Sequence, residues 1–215
     1  MVRQTKAERT RQRVLDAAAK VFREQGYSNA RLVDIAELAG IQGGSLYYHF
    51  DGREELVAEV LRLGIETSFQ QVQEALRQLP ADATPFERLE TTIRAHVLCQ
   101  LAISDYASAQ ARIAGQVPPH ILKGHQADKR KYGEFWNSLL EAAVDAGEVR
   151  GDIDLFTARM LVLGALNWTA EWYRPKRGRS AEAIANDAVA LLLDGLRTQK
   201  KPRSSRAAGR ELRPS

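Results

Sequence analysis

Between Gln42 and His49 the chain places an amide, two glycines, a hydroxyl, two phenols and an imidazole, with no formal charge among them. Such side chains can read base edges or hold phosphate oxygens, and the small residues Gly43, Gly44 and Ser45 let a backbone come close to its partner. Other chemistry-bearing pairs are sparse. His96 stands three residues before Cys99, but no further metal ligand and no nucleophile motif lies nearby, so Cys99 reads as a packing cysteine. His120 and His125 are five apart, off the i, i+4 spacing of a helical metal pair. There is no phosphate-cradling glycine loop and no suggestive carboxylate pair. No catalytic residue, no metal and no cofactor are expected.

The elements that would position residues 42–49 are legible in the spacing. Leu32, Ile35, Ala36 and Ala39 form one apolar stripe on a short helix, and Gly40 can close it in the left-handed conformation. After a short turn, residues 43–49 predict a second helix. Leu46 and Phe50 point inward there; Gly44, Ser45 and Tyr48 face outward, flanked by Tyr47 and His49, with Gln42 at the entry. Residues 5–25 form a bracing helix with Val14, Ala18, Val21 and Phe22 inward, ended by Gly26. Asp51 is the expected N-cap of the next helix, with Glu54 and Glu55 in its first turn. Geometry alone fits either a helix-turn-helix or an ordinary helical hairpin.

The run DIAELAGIQGGSLYYHFDGREELVAEVL resembles the DNA-binding signature of the TetR family of bacterial transcriptional regulators, over about 50 N-terminal residues. This chain departs from the usual family pattern at Ala30 and Arg31, where threonines are common, and at Arg53, where lysine is. The resemblance implies operator contacts from Gln42, Gly44, Ser45, Tyr47, Tyr48 and His49, with Arg31 and Arg53 on phosphates. It also implies a homodimer on a palindrome, released by a small ligand. The segment NWTAEWYRP is similar to the C-terminal helix of TetR-type regulators of lipid and steroid degradation, which sense acyl-CoA thioesters. That similarity implies an apolar acyl group between the helices, with Arg174, Lys176 or Arg177 near the CoA phosphates.

Beyond Phe50 the pattern is helical throughout. Helices are predicted from 53 to about 78, 85 to 104, 106 to 115, 118 to 146, 155 to 173 and 181 to 197. Residues 160–166 are apolar nearly all round, which predicts burial on more than one side. The last helix carries two stripes, Ile184, Ala188, Leu191 and Gly195 on one and Ala185, Val189, Leu192 and Leu196 on the other. One stripe serves the protomer core; the second fits either a partner or a fully buried core helix, and dimerisation through the last two helices is expected. Ligand-lining candidates are Phe69, Tyr106, Phe135, Trp136, Asn167, Trp168, Trp172 and Arg174, with core packing open for each aromatic. Asn167 stands out as a polar group in an apolar helix. The basic patch Lys123, Lys129, Arg130 and Lys131 reads as a solvated face.

Charge collects at the two ends. Of the formal net +4, residues 1–13 hold a net +4 and residues 199–215 a net +5, leaving about −5 for the body. A basic arm beside a helix-turn-helix suits phosphate neutralisation. The single cysteine rules out an internal disulfide, and no apolar run nears the roughly 20 residues of a membrane helix. The resulting expectation is a cytoplasmic all-α protein. Residues 1–52 form a three-helix helix-turn-helix domain with a basic arm, 53–198 an effector-binding and dimerisation bundle, and 199–215 a basic disordered tail. The alternatives are an activator with the same head, and a helical ligand carrier or enzyme that does not bind DNA.

Overall fold

The computed structural model describes residues 5–123, 126–174 and 178–197; the tail 199–215, Lys176, Arg177 and His125 lie outside the described residues. Nine α-helices fill the described residues: α1 (Lys6–Asn29), α2 (Leu32–Leu38), α3 (Arg53–Arg77), α4 (Pro85–Leu98), α5 (Asp105–Ile113), α6 (Pro119–Leu122), α7 (Gln126–Asp145), α8 (Leu155–Trp172) and α9 (Ala181–Leu196).

α1 begins at a reciprocal cap. The Thr5 hydroxyl accepts from the Glu8 amide, and the Glu8 carboxylate accepts from the Thr5 amide. Residues 6–13 are the first turns of the helix expected from residue 5, and the cations they carry divide in role. Arg11 lies over the Phe50 ring, 4.7 Å from its centroid. Arg13 donates to the carbonyls of Ala39 and Gly40, neutralising the C-terminal end of α2. Lys6 and Arg9 stay exposed. At Gly26, φ is +76° and the helix kinks without ending. The Tyr27 amide donates instead to Gln116 Oε1 at 3.0 Å, and the chain stays helical to Asn29.

The second short helix is a six-residue 3₁₀ helix, Gly43–Tyr48, rather than an α-helix to His49. Two adjacent glycines and the lack of a side-chain cap leave little to favour a full α-helix. Gly40 takes φ +65° as expected. Ile35, Ala36, Ala39, Leu46 and Phe50 are all buried against Val14, Ala18 and Phe22. The N-cap of α3 is Gly52 in extended conformation, not Asp51, whose amide donates to the Glu55 carboxylate at 2.6 Å.

One further prediction gives way to a break. The helix from Pro85 ends at Leu98 and widens into a π-helical turn, Cys99–Ile103, in which the Ser104 amide donates to the Cys99 carbonyl at 2.9 Å. Of the helix predicted from 118 to 146, Pro119–Leu122 (α6) and Gln126–Asp145 (α7) are the α-helical parts among the described residues. One apolar core joins α1, α2, the 3₁₀ helix and Leu56, Val57, Val60 and Leu61 of α3 to Ala109, Ile113, Val117 and Ile121. The head is thus completed by α5 and the segment after it. Gly64 permits the close crossing of α3 on α5, because a Cβ there would meet Tyr106 O at 2.5 Å. A second core gathers Phe86, Leu89, Ile93, Trp136, Leu140, Val162, Leu166 and Leu193, each large apolar side chain contributing about 1.5–3 kcal/mol.

α8 departs from its predicted all-round burial. Ala158, Val162, Leu166 and Thr169 are buried, but Phe156, Met160, Leu161, Trp168 and Trp172 are exposed in the single chain. Leu191 of α9 is 79% exposed. Burial on a second side therefore requires another chain.

Candidate nucleic-acid interface and ligand cavity

The outward side of the 3₁₀ helix carries the residues whose spacing pointed to DNA. Tyr48 is 88% exposed, Tyr47, Gln42 and Gly44 are exposed, and Ser45 and His49 are half-buried. Its inward side is pinned by Leu46, fully buried. Gly43 and Gly44 have negative φ, and a Cβ built on either meets nothing within 4 Å. The protein's own fold therefore demands glycine at neither position; close approach by something outside would. Arg31 is exposed at the N-cap of α2, donating from Nε and Nη2 to Asp34 at 3.1 and 2.7 Å. In open solvent such a pair is weak enough to exchange for a phosphate.

Arg53, expected on a phosphate, makes bonds within the chain. Its Nη1 donates to Ala30 O at 2.5 Å, its Nη2 donates to Tyr27 O, and its guanidinium lies over the Tyr27 ring. It ties the start of α3 to the end of α1, because those carbonyls would otherwise lack partners.

Beside the second core, α3, α4, α5, α7 and α8 line a half-open cavity of about 470 Å³. Ile65, Met160 and Leu163 supply apolar wall; Ser68, His96, Tyr132 and Asn167 supply the inner polar groups; Lys129, Arg130 and Arg159 bring positive charge to its rim, with Glu134. A Cβ at Gly133 would sit 2.7 Å from Arg159 Nη1, so the glycine gives the guanidinium room. Among the described ligand candidates read from sequence, only Asn167 reaches this cavity. Phe69 stacks at an angle on Tyr132 and Phe135, Trp136 is fully buried in the core, and Trp168 and Trp172 face outward. Tyr106 lies where head and body meet, donating to Asp16 at 2.6 Å. Arg174 lines a separate cleft of about 280 Å³ with Arg23, Arg112 and Gln100.

Sequence reasoning missed His96, Gln100, Ser68 and the rim cations. His96 was visible only as half of a rejected metal pair, and Lys129 and Arg130 only as a solvated patch. In the fold, His96 Nδ1 lies 2.9 Å from Tyr132 Oη, and Gln100 Nε2 lies 2.6 Å from both His96 Nε2 and Asn167 Oδ1. Burial pushes the His96 imidazole down to about 4, opposed by its bond with Asn167, so it is neutral near pH 7. Burial raises the Cys99 thiol to about 11, which leaves it protonated and unreactive. Gln100 lies in the π-helical turn, and its carbonyl accepts from the Ser108 hydroxyl of α5.

Known proteins share both the head and this bundle. Residues 14–60 match the family model described as bacterial regulatory proteins, tetR family, and residues 82–196 match that of the tetracyclin repressor-like C-terminal domain. The HTH-type transcriptional repressor KstR2 of Rhodococcus jostii is 31% identical over 186 residues, covering 86% of this chain and 90% of the relative. The chain belongs to the TetR family of bacterial transcriptional regulators. Among solved TetR-family structures, KstR2 of Mycobacterium tuberculosis superposes with a TM-score of 0.70 at 26% identity, over 88% of this chain and 95% of that one. AibR, solved in complex with isovaleryl coenzyme A and operator DNA, shares the fold with a TM-score of 0.74 at 22% identity, over 86% of this chain and 98% of that one. Among the described residues no helix is long and apolar enough to cross a membrane.

Proposed function

We propose that this protein is a cytoplasmic repressor that binds a palindromic operator as a homodimer and leaves it when a small hydrophobic effector, an acyl-CoA, fills the α3–α8 cavity. The observation that carries the DNA reading is the Gly43–Tyr48 face, whose exposed tyrosines and glycines have no task within the fold. Two copies joined through α8 and α9 would set two such faces about 34–36 Å apart, one turn of DNA. The effector reading rests on an apolar cavity with a cationic rim. At about 30 Å³ per water-sized group, 470 Å³ holds roughly fifteen non-hydrogen atoms, which suits a compact acyl group. The rim arginines and lysine suit phosphates that remain outside; Arg174, in the separate cleft with Arg23 and Arg112, offers a second anchor.

Two routes lead from cavity to head. Ile65 and Ser68 line the cavity on α3, the same helix whose first residue, Arg53, is bonded to the end of α1. Gln100 joins the His96 and Asn167 network to the π-helical turn and α5, whose Asp105 pairs with Arg23 of α1 at 2.5 Å. Filling the cavity biases both elements at once.

The test is operator binding by Tyr48→Ala. With the tyrosine so exposed, the thermal midpoint should stay unchanged while discrimination between operator and scrambled DNA falls by about 1–3 kcal/mol. Unchanged discrimination removes Tyr48 from the reading face.

A further inference from the structure

The inner end of the cavity is polar and incompletely bonded. Ser68 is 2% exposed, and its hydroxyl has no hydrogen-bond partner among the described residues. The Cys99 thiol beside it is a weak partner. Asn167 uses its Oδ1 to accept from Gln100, and its Nδ2 donates in none of the hydrogen bonds of the described residues. Both groups line the same cavity. Leaving a buried hydroxyl unpaired is unfavourable, because its lost contact with water is not replaced. The Asn167 amide nitrogen can only donate and the Ser68 hydroxyl can donate as well as accept, so an acceptor is the one kind of atom that both can hold.

We propose that Ser68 and Asn167 hold a carbonyl oxygen of the effector at the inner end of this cavity. The inference deepens the ligand reading above and rests on it. Hydrogen bonds frame the pair: Tyr132 bonds His96, and Gln100 bonds both His96 and Asn167. A plain alkyl group seated there would leave both donors unpaired, so the site selects against it. The carbonyl has two sources, the thioester itself or a ketone on the acyl group.

Calorimetry on the full chain distinguishes them with cyclohexanecarbonyl-CoA, its 4-oxo derivative, and the matching thioether S-(cyclohexylmethyl)-CoA, each against wild type and Ser68→Ala. A tenfold gain for the oxo compound that Ser68→Ala abolishes assigns the oxygen to a ring ketone. A tenfold loss for the thioether that is absent in Ser68→Ala assigns it to the thioester. Equal binding of all three, unmoved by Ser68→Ala, overturns the inference and leaves the acyl-CoA reading standing. If no CoA compound binds but 1-decalone binds at least tenfold tighter than decalin, with the gain lost in Ser68→Ala, the inference stands and the acyl-CoA reading falls. If no probe binds, both fall. Asn167→Leu, checked by its melting curve, repeats the series should Ser68→Ala fail to fold.

Discussion

Arg53 and His96 are polar groups whose roles only three-dimensional placement reveals. Arg53 donates to the carbonyls of Ala30 and Tyr27. Arg53→Ala should therefore lower stability by about 2 kcal/mol, read from denaturant midpoints, without changing the slope of log affinity against log salt. A slope flattened by about one unit would restore the phosphate contact expected from sequence. His96 is held neutral down to about pH 4 by burial, whereas an unfolded histidine titrates near 6.5. Between those values the unfolded chain takes up a proton that the folded one refuses. Stability from this group is then complete above about pH 6.5 and declines as pH falls toward 4. From pH 7 to pH 5, wild type should lose about 2 kcal/mol more than His96→Gln, the other histidines being common to both. Equal losses would mean that His96 is hydrated in the native state. Neither role was legible in advance. Spacing along the chain gives the face a residue occupies, but not the carbonyl across the turn or the tyrosine on another helix that will bind it.

At the scale of elements, periodicity served well wherever one apolar stripe decided burial. Val14, Ala18 and Phe22, and Leu46 with Phe50, are buried as their spacing implied. It did less well where backbone detail decided the outcome. The 3₁₀ helix at Gly43–Tyr48, the kink at Gly26 and the π-helical turn at Cys99–Ile103 keep the helical register closely enough that a side-chain pattern does not betray them. α8 failed informatively, with Trp168 65% exposed where burial on every side was expected, while α9 buries Ala185 and Leu196 of one stripe and leaves Leu191 of the other 79% exposed. Pairing through these helices implies that the double change Leu161→Asp, Leu191→Asp yields a folded monomer by light scattering, with helical circular dichroism intact. A double variant that stays dimeric would place the interface elsewhere.

Across the whole molecule, the reading face lies at one end and the cavity among α3, α4, α5, α7 and α8, joined by α3 and by the α5–α1 seam. The N-terminal motif made the proposed reading face legible before folding, because its residues are contiguous. The cavity was largely hidden, since its lining comes from five helices spread between Ile65 and Asn167 and only Asn167 was anticipated. The most direct test of ligand-controlled DNA binding is fluorescence anisotropy on DNA from upstream of the protein's own gene, first titrated with salt and then with compact acyl-CoAs. Salt-dependent, sequence-specific binding by two chains, released by one of these thioesters, is the predicted result. Failure to shift such fragments even at low salt would contradict the account.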